Sequence, residues 1–244
     1  MSMILLISIL LIVYFTLVIG VIKFHENLDP KITNIIFIVL IAGFFLCLNI
    51  YYYDKGEDYH FMTFDNISPF TFTTIGFSYL LSKKVREYYF SMIAFLYVGM
   101  FIAMHANILK AELGFSHIAS RDYAYDALSH LFVSVFAVYL VLSNQVKINM
   151  KNYSKALICV YSIVTFGVIR NFMFGKASFG MDPTGDYNIY SLRLFNNFWV
   201  TLFAYYIGIL FVVSSGYTLL GMTKFLLRKD KEVTFKQFLE IEKN

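Results

Sequence analysis

Long apolar runs separated by short polar stretches dominate this chain. Five are clear: Ile4 to Ile22, Ile32 to Tyr53, Tyr89 to Leu109, Ser154 to Phe174 and Phe195 to Met222. Two more, Asn66 to Ser82 and Tyr125 to Ser143, are shorter and more polar. A helix needs about 20 apolar residues to cross the hydrocarbon core of a bilayer, so all seven qualify or nearly do. The last is long enough to tilt. In hydrocarbon only helices and closed barrels satisfy their backbone, and these runs lack the short alternation of barrel strands. The pattern predicts an all-α fold: a membrane bundle of seven transmembrane helices over residues 1–222, then a basic tail over 223–244. The first run has neither a basic stretch before it nor a small-residue cleavage motif after it, which speaks against a signal peptide.

Composition agrees. The 244 residues are 59% hydrophobic and 15% charged, with mean hydropathy +0.64. Globular domains carry about 25% charge, so the charge here is too sparse to cover a water-facing surface of this size. Intrinsic disorder is excluded by the same numbers. A net charge of +4 with no basic stretch interleaved with aromatics speaks against nucleic acid as a partner. Cys47 and Cys159 both fall in apolar runs and read as small buried hydrophobes, not as a disulfide framework or a zinc site.

Threading the runs alternately through a bilayer sorts the charges. Lys55, Lys110, Arg121, Lys176 and Arg193 fall on one side. Fourteen basic residues fall on the other: Lys23, Lys31, Lys83, Lys84, Arg86, Lys147, Lys151, Lys155 and six in the tail from Lys224 to Lys243. The positive-inside rule makes the richer side cytoplasmic, with the N-terminus outside and the C-terminus inside. The tail mixes its basic residues with Phe225, Phe235, Phe238 and Leu239. It reads either as an interfacial amphipathic helix or as a solvated stop-transfer tail.

Polar side chains within the spans gather towards the outer end. They are Asn66, Ser68, Thr71, Thr73 and Thr74 on the third run, His105 and Asn107 on the fourth, and Asp126, Ser129 and His130 on the fifth. Arg170 and Asn171 close the sixth, and Asn196 and Asn197 open the seventh. At 1.5 Å per residue, Thr73, His105, His130 and Arg170 would lie roughly 5–11 Å below the outer helix ends. Ionisable groups within a span cost on the order of 2.5–3.5 kcal/mol each at its centre and persist where they face a polar cavity or one another. Asp126 and His130 are spaced i, i+4 and share a helix face. A carboxylate beside an imidazole orients it and stabilises its protonated form, as a general base requires. The alternative for His130 is a helix-to-helix hydrogen bond. Thr71, Thr73 and Thr74 are candidate nucleophiles, or hydroxyls bonded back to their own helix. Pro69 disturbs backbone pairing beside them. Arg170 is suited to phosphate or carboxylate, or to an internal pair with Asp126. His105, His130 and Asp126 form only a weak metal pattern, and no metal or other cofactor is expected. The turn-rich stretch from Phe174 to Arg193 would overlie the cavity.

The order of these elements, from about Asn66 to Val213, resembles the YwaF-like integral membrane proteins of bacteria, whose animal relatives are transmembrane protein 164 type lipid acyltransferases. The stretch Ile67-Ser68-Pro69-Phe70-Thr71-Phe72-Thr73 is similar to a Leu-Pro-x-His-x-Cys span start, and Ser129-His130 to a Ser-His pair. Asn171 to Lys176 with Pro183, and Asn197-Phe198-Trp199, match two further stretches. Thr71 stands where the family has His, and Thr73 where the animal enzymes place an acyl-accepting Cys. The resemblance implies a multi-pass protein of a bacterial cytoplasmic membrane acting on membrane lipid. The expected function is acyl transfer or ester hydrolysis on a phospholipid or acidic substrate. In it Thr73 is nucleophile, His130 base and Asp126 its orienter. Arg170, Asn66, Thr71, His105 and Asn197 line the substrate site. A membrane component of a transporter and a non-catalytic sensor are the alternatives.

Overall fold

The computed structural model describes residues 3–54, 67–112, 123–174, 198–228 and 234–242, with 102–112 and 123–126 among the positions described as backbone only. Its helices are α1 (Met3–Phe24), α2 (Pro30–Asp54), α3 (Ile67–Thr74), α4 (Lys83–Glu112), α5 (Tyr123–Leu142), α6 (Met150–Phe174), α7 (Phe198–Leu227) and α8 (Phe235–Ile241). A 3₁₀ turn, Ile75–Phe77, continues α3. No strand occurs among the described residues.

Among the described residues, four helices hold stretches long and apolar enough to cross a membrane: Ile7–Phe24, Pro30–Ile50, Met150–Arg170 and Trp199–Leu227. They surround α4 and α5. Tyr89 to Val98 on α4 are buried all round, as are Val133 to Leu142 on α5. α1 and α2 cover α5, whereas α6 and α7 cover α4. The covering helices turn large apolar side chains outward, with Ile12, Phe203 and Phe211 more than half exposed. Polar groups meet in the helix interfaces instead: Ser134 Oγ donates to Tyr14 Oη (3.3 Å), and Tyr153 Oη and Ser214 Oγ are 2.8 Å apart. Apolar surface outside and polar contacts inside suit lipid, not water, as solvent. This is the architecture of an all-α integral membrane protein.

The third apolar run differs from the other six. α3 and its 3₁₀ turn together measure about 18 Å, short of the roughly 30 Å hydrocarbon core. Threonine at three of four positions from Thr71 to Thr74, then Gly76, offers little propensity to extend the helix. α3 lies between α2 and α6 and runs antiparallel to α2. Asn34 at the start of α2 bonds Tyr79 Oη beyond the turn (2.9 Å), and Phe45 further along α2 meets Phe72 of α3 with ring centroids 5.5 Å apart. The short helix thereby places its first turn deep against α4 and α5.

Connections 25–29, 78–82 and 143–149 meet at one end of the bundle. Asn34 and Gln145 exchange hydrogen bonds of 2.7 and 3.2 Å there, and Lys224 Nζ donates to Asn144 Oδ1 (2.6 Å). Asn144 has φ 59°, a left-handed conformation its side chain tolerates, and it ends α5. The tail folds back onto this end. Thr234 and Gln237 form a capping box for α8. Glu242 then accepts from Lys224 Nζ (2.8 Å) and from the Ile148 N–H (3.1 Å). The tail thus packs a short helix against the bundle itself, through Glu242. Cys47 is exposed on α2 and Cys159 half-buried on α6, so burial is a property of neither in full.

At the same end Lys155 Nζ lies 2.6 Å from Glu87. The hydrogen bond from Lys155 holds the Glu87 carboxyl below the usual carboxylate range. A lowered folded value means the contribution to stability is complete above about pH 4.3, the ordinary glutamate value, and is lost as pH falls through the folded value. Glu87 is exposed, so the effect is small. Thermal melts of Glu87→Gln should fall slightly short of wild type at pH 7 and converge on it as pH drops through the lowered folded value of Glu87; a deficit independent of pH would refute the pairing.

Candidate active site

The first turn of α3 brings Ser68 to His130 of α5. Ser68 Oγ and His130 Nε2 are 2.8 Å apart, and both residues are buried, at 4% and 6% exposure. Aromatic rings wall the pair. The Phe72 ring meets the imidazole edge-to-face at 5.0 Å, and the Tyr97 ring lies 6.2 Å away. Tyr97 is at the middle of the 30-residue α4, so the pair lies at mid-bundle although His130 is only two turns inside α5. Ser68 stands where a helix carries its partial positive charge and its outward-pointing N–H groups. Pro69 fits in this turn, because its missing N–H would have no intrahelical partner there.

The hydroxyl that meets His130 is thus a different one from the expected Thr73. Thr73 follows Ser68 by five residues, roughly 140° round the helix axis, and its side chain is exposed. Ser68, not Thr73, is the hydroxyl on the face that meets His130. Thr71 is engaged within its own helix. It is fully buried, its Oγ1 donates to Ile67 O (2.8 Å), and its carbonyl accepts from Tyr89 Oη (2.8 Å). Thr74 Oγ1 likewise bonds back to Phe70 O (2.7 Å). These hydroxyls fasten α3 to itself and to α4, and Thr71 offers no surface to a substrate.

Asp126 occupies the position one turn before His130 on α5, and His105 lies beyond Tyr97 on α4; the side chains of both lie outside the described residues. So do Asn66, Asn197 and the stretch after Phe174 proposed to overlie the site. Arg170 is half-buried on α6. The Glu87–Lys155 contact sets α4 and α6 in parallel register, which puts Arg170 about 8 Å beyond the level of Tyr97, towards the end opposite the basic one.

Asn49 enters the picture from structure alone. It is buried on α2, and its Nδ2 donates to Phe45 O one turn earlier (2.7 Å). Its Oδ1 is buried with no hydrogen-bond partner among the described residues. Phe45 meets Phe72 across the antiparallel α2–α3 pair. One turn further on each helix, in the same direction, come Asn49 and Ser68. The available sequence signal was an asparagine set among Leu46, Cys47, Leu48 and Ile50 late in the second apolar run.

Set against models of protein families, curated proteins and solved structures, the chain has no match in any of the three.

Proposed function

We propose that this chain crosses a bacterial cytoplasmic membrane seven times, with its N-terminus outside, and cleaves or transfers an ester-linked acyl group of a membrane lipid. The 2.8 Å contact between Ser68 Oγ and His130 Nε2 carries the reading, since it falls in the range nucleophile and base require. Ser68 Oγ attacks the ester carbonyl while His130 takes its proton. The tetrahedral intermediate then expels the lipid alcohol, which receives that proton from His130. Asp126, one turn away on the same helix face, is the proposed orienter of the imidazole. The positive end of α3 favours the developing oxyanion. Arg170 lies farther towards the outer end than Ser68, as a phosphate lies outside the ester carbonyl in a bilayer. The resemblance to YwaF-like proteins favours His130, because its Ser-His pair falls on Ser129-His130, whereas its Leu-Pro start falls on Ser68-Pro69 and its acyl-accepting position on Thr73, so the nucleophile proposed here rests on the contact alone.

A second reading has its own observation. Other interhelical polar pairs, such as Tyr153–Ser214, recur through the bundle, and Ser68–His130 would be one more such fastening. The two readings separate on turnover. Purified protein incubated with labelled phospholipid should release fatty acid or an acylated product, resolved by mass spectrometry, and His130→Ala should remove that activity while the protein stays folded. Turnover unaffected by His130→Ala would leave only the fastening.

A further inference from the structure

A buried amide oxygen without a donor costs about 1–3 kcal/mol relative to one that is paired. Asn49 bears that cost in an apolar helix, where leucine would fit the pattern of its neighbours Leu46 and Leu48. The side chain has already committed its amide N–H to Phe45 O, so what it presents inward is an acceptor only. The group missing beside it is therefore a donor. Asn49 shares a level with Ser68 on adjacent antiparallel helices, and Ser68 contacts His130, so that donor would be held beside the proposed nucleophile.

We propose that Asn49 Oδ1 accepts a hydrogen bond from the water that hydrolyses the acyl group on Ser68. The inference rests on the acyl-transfer reading of Ser68–His130 and sharpens it to hydrolysis. The chemistry selects the acceptor by counting hydrogens. In deacylation His130 Nε2 removes one proton from the attacking oxygen as the new C–O bond forms. The Ser68 C–O bond then breaks, and His130 returns the proton to Ser68 Oγ. An attacking oxygen that also donates to Asn49 needs a second hydrogen. Water has two, one for His130 and one for Asn49, and yields a free fatty acid. A monohydric alcohol has only one and cannot satisfy both groups. Asn49 thus favours water over alcohol acceptors at this position.

The full chain in detergent micelles, given a p-nitrophenyl acyl ester, separates the steps. Release of p-nitrophenol reports acylation, and intact mass reports the acyl adduct on Ser68. Wild type should show a small adduct fraction and steady turnover. Asn49→Leu should acylate at the wild-type rate but deacylate about tenfold more slowly, so that the adduct accumulates and a burst of p-nitrophenol emerges. Added methanol should take a larger share of the acyl group in Asn49→Leu than in wild type. Asn49→Asp, which keeps an acceptor at the same place, should restore hydrolysis at least in part. The leucine variant removes an unsatisfied polar atom and should melt no lower than wild type; should it fail to fold, the aspartate variant and the methanol partition of wild type still decide. An adduct whose decay is unchanged in Asn49→Leu, or wild type that partitions freely to methanol, overturns the role of Asn49 alone. No adduct and no turnover in wild type overturns the acyl-transfer reading and this inference with it.

Discussion

Gly216→Ala is expected to be the most damaging single methyl group that can be added to this bundle. A Cβ at Gly216 would lie 2.0 Å from the backbone oxygen of Phe95, and one at Gly99 would lie 2.6 Å from the backbone oxygen of Val212. Neither oxygen can rotate away as a side-chain tip could. α4 and α7 touch backbone to backbone at these two points, so relief requires the helices to separate by about 1 Å or more. Overpacking of that kind costs typically 1–3 kcal/mol and occasionally more, whereas alanine recovers only about 1 kcal/mol in helix propensity. Close approach also aligns helix Cα–H groups with facing carbonyls, contacts that would be lost together. A loss of about 3 kcal/mol would lower the melting temperature in detergent by roughly 6–12 °C, by the scaling of domains of this size. Gly208, on the same α7, has nothing within 4 Å of its missing Cβ, so Gly208→Ala should be neutral or slightly stabilising. Equal melting temperatures for Gly216→Ala and Gly208→Ala would mean that α4 and α7 do not approach this closely.

The helical class and the placement of most helices were legible because lipid reverses the usual constraint. A chain with 15% charge can satisfy its backbone in hydrocarbon only by forming helices, so run length carries the assignment. Hydropathy says nothing about which helices are central. The clear first run became a covering helix, and the short, polar fifth run became half of the core, because α5 buries its hydroxyls against neighbours: Ser129 and Ser134 are both fully buried. Hydropathy is equally silent about Asn34 and Gln145, which tie α2 to the connection after α5. That His130 makes a buried polar contact was legible, since an imidazole in an apolar helix needs a partner. The identity of that partner was not. Ser68, Thr71, Thr73 and Thr74 are chemically similar, and only the rotation of α3 about its axis, fixed by Phe72 and Ile75 entering the core, decides which hydroxyl faces α5.

That rotation makes the sharpest test of the site a comparison within α3. Ser68→Ala is expected to lower lipid-ester turnover by about 10³-fold or more, the scale on which loss of a nucleophile is felt, leaving what binding and the helix end contribute. Thr73→Ala, on the exposed face, should leave turnover within about twofold of wild type. Moving a hydroxyl to the wrong face should not restore it, so Ser68→Ala combined with Thr73→Ser should stay inactive. Ser68→Thr should retain partial activity, since it keeps the oxygen but adds a methyl group at a buried position. Stability follows a different order. Ser68→Ala removes the buried hydrogen bond to His130, which costs about 1–3 kcal/mol, far less in relative terms than the loss of turnover. Measuring both quantities on each variant therefore separates a nucleophile from a fastening. Loss of activity in Thr73→Ala with Ser68→Ala active would return the chemistry to Thr73 and require α3 to turn by more than a third of a revolution in the working protein.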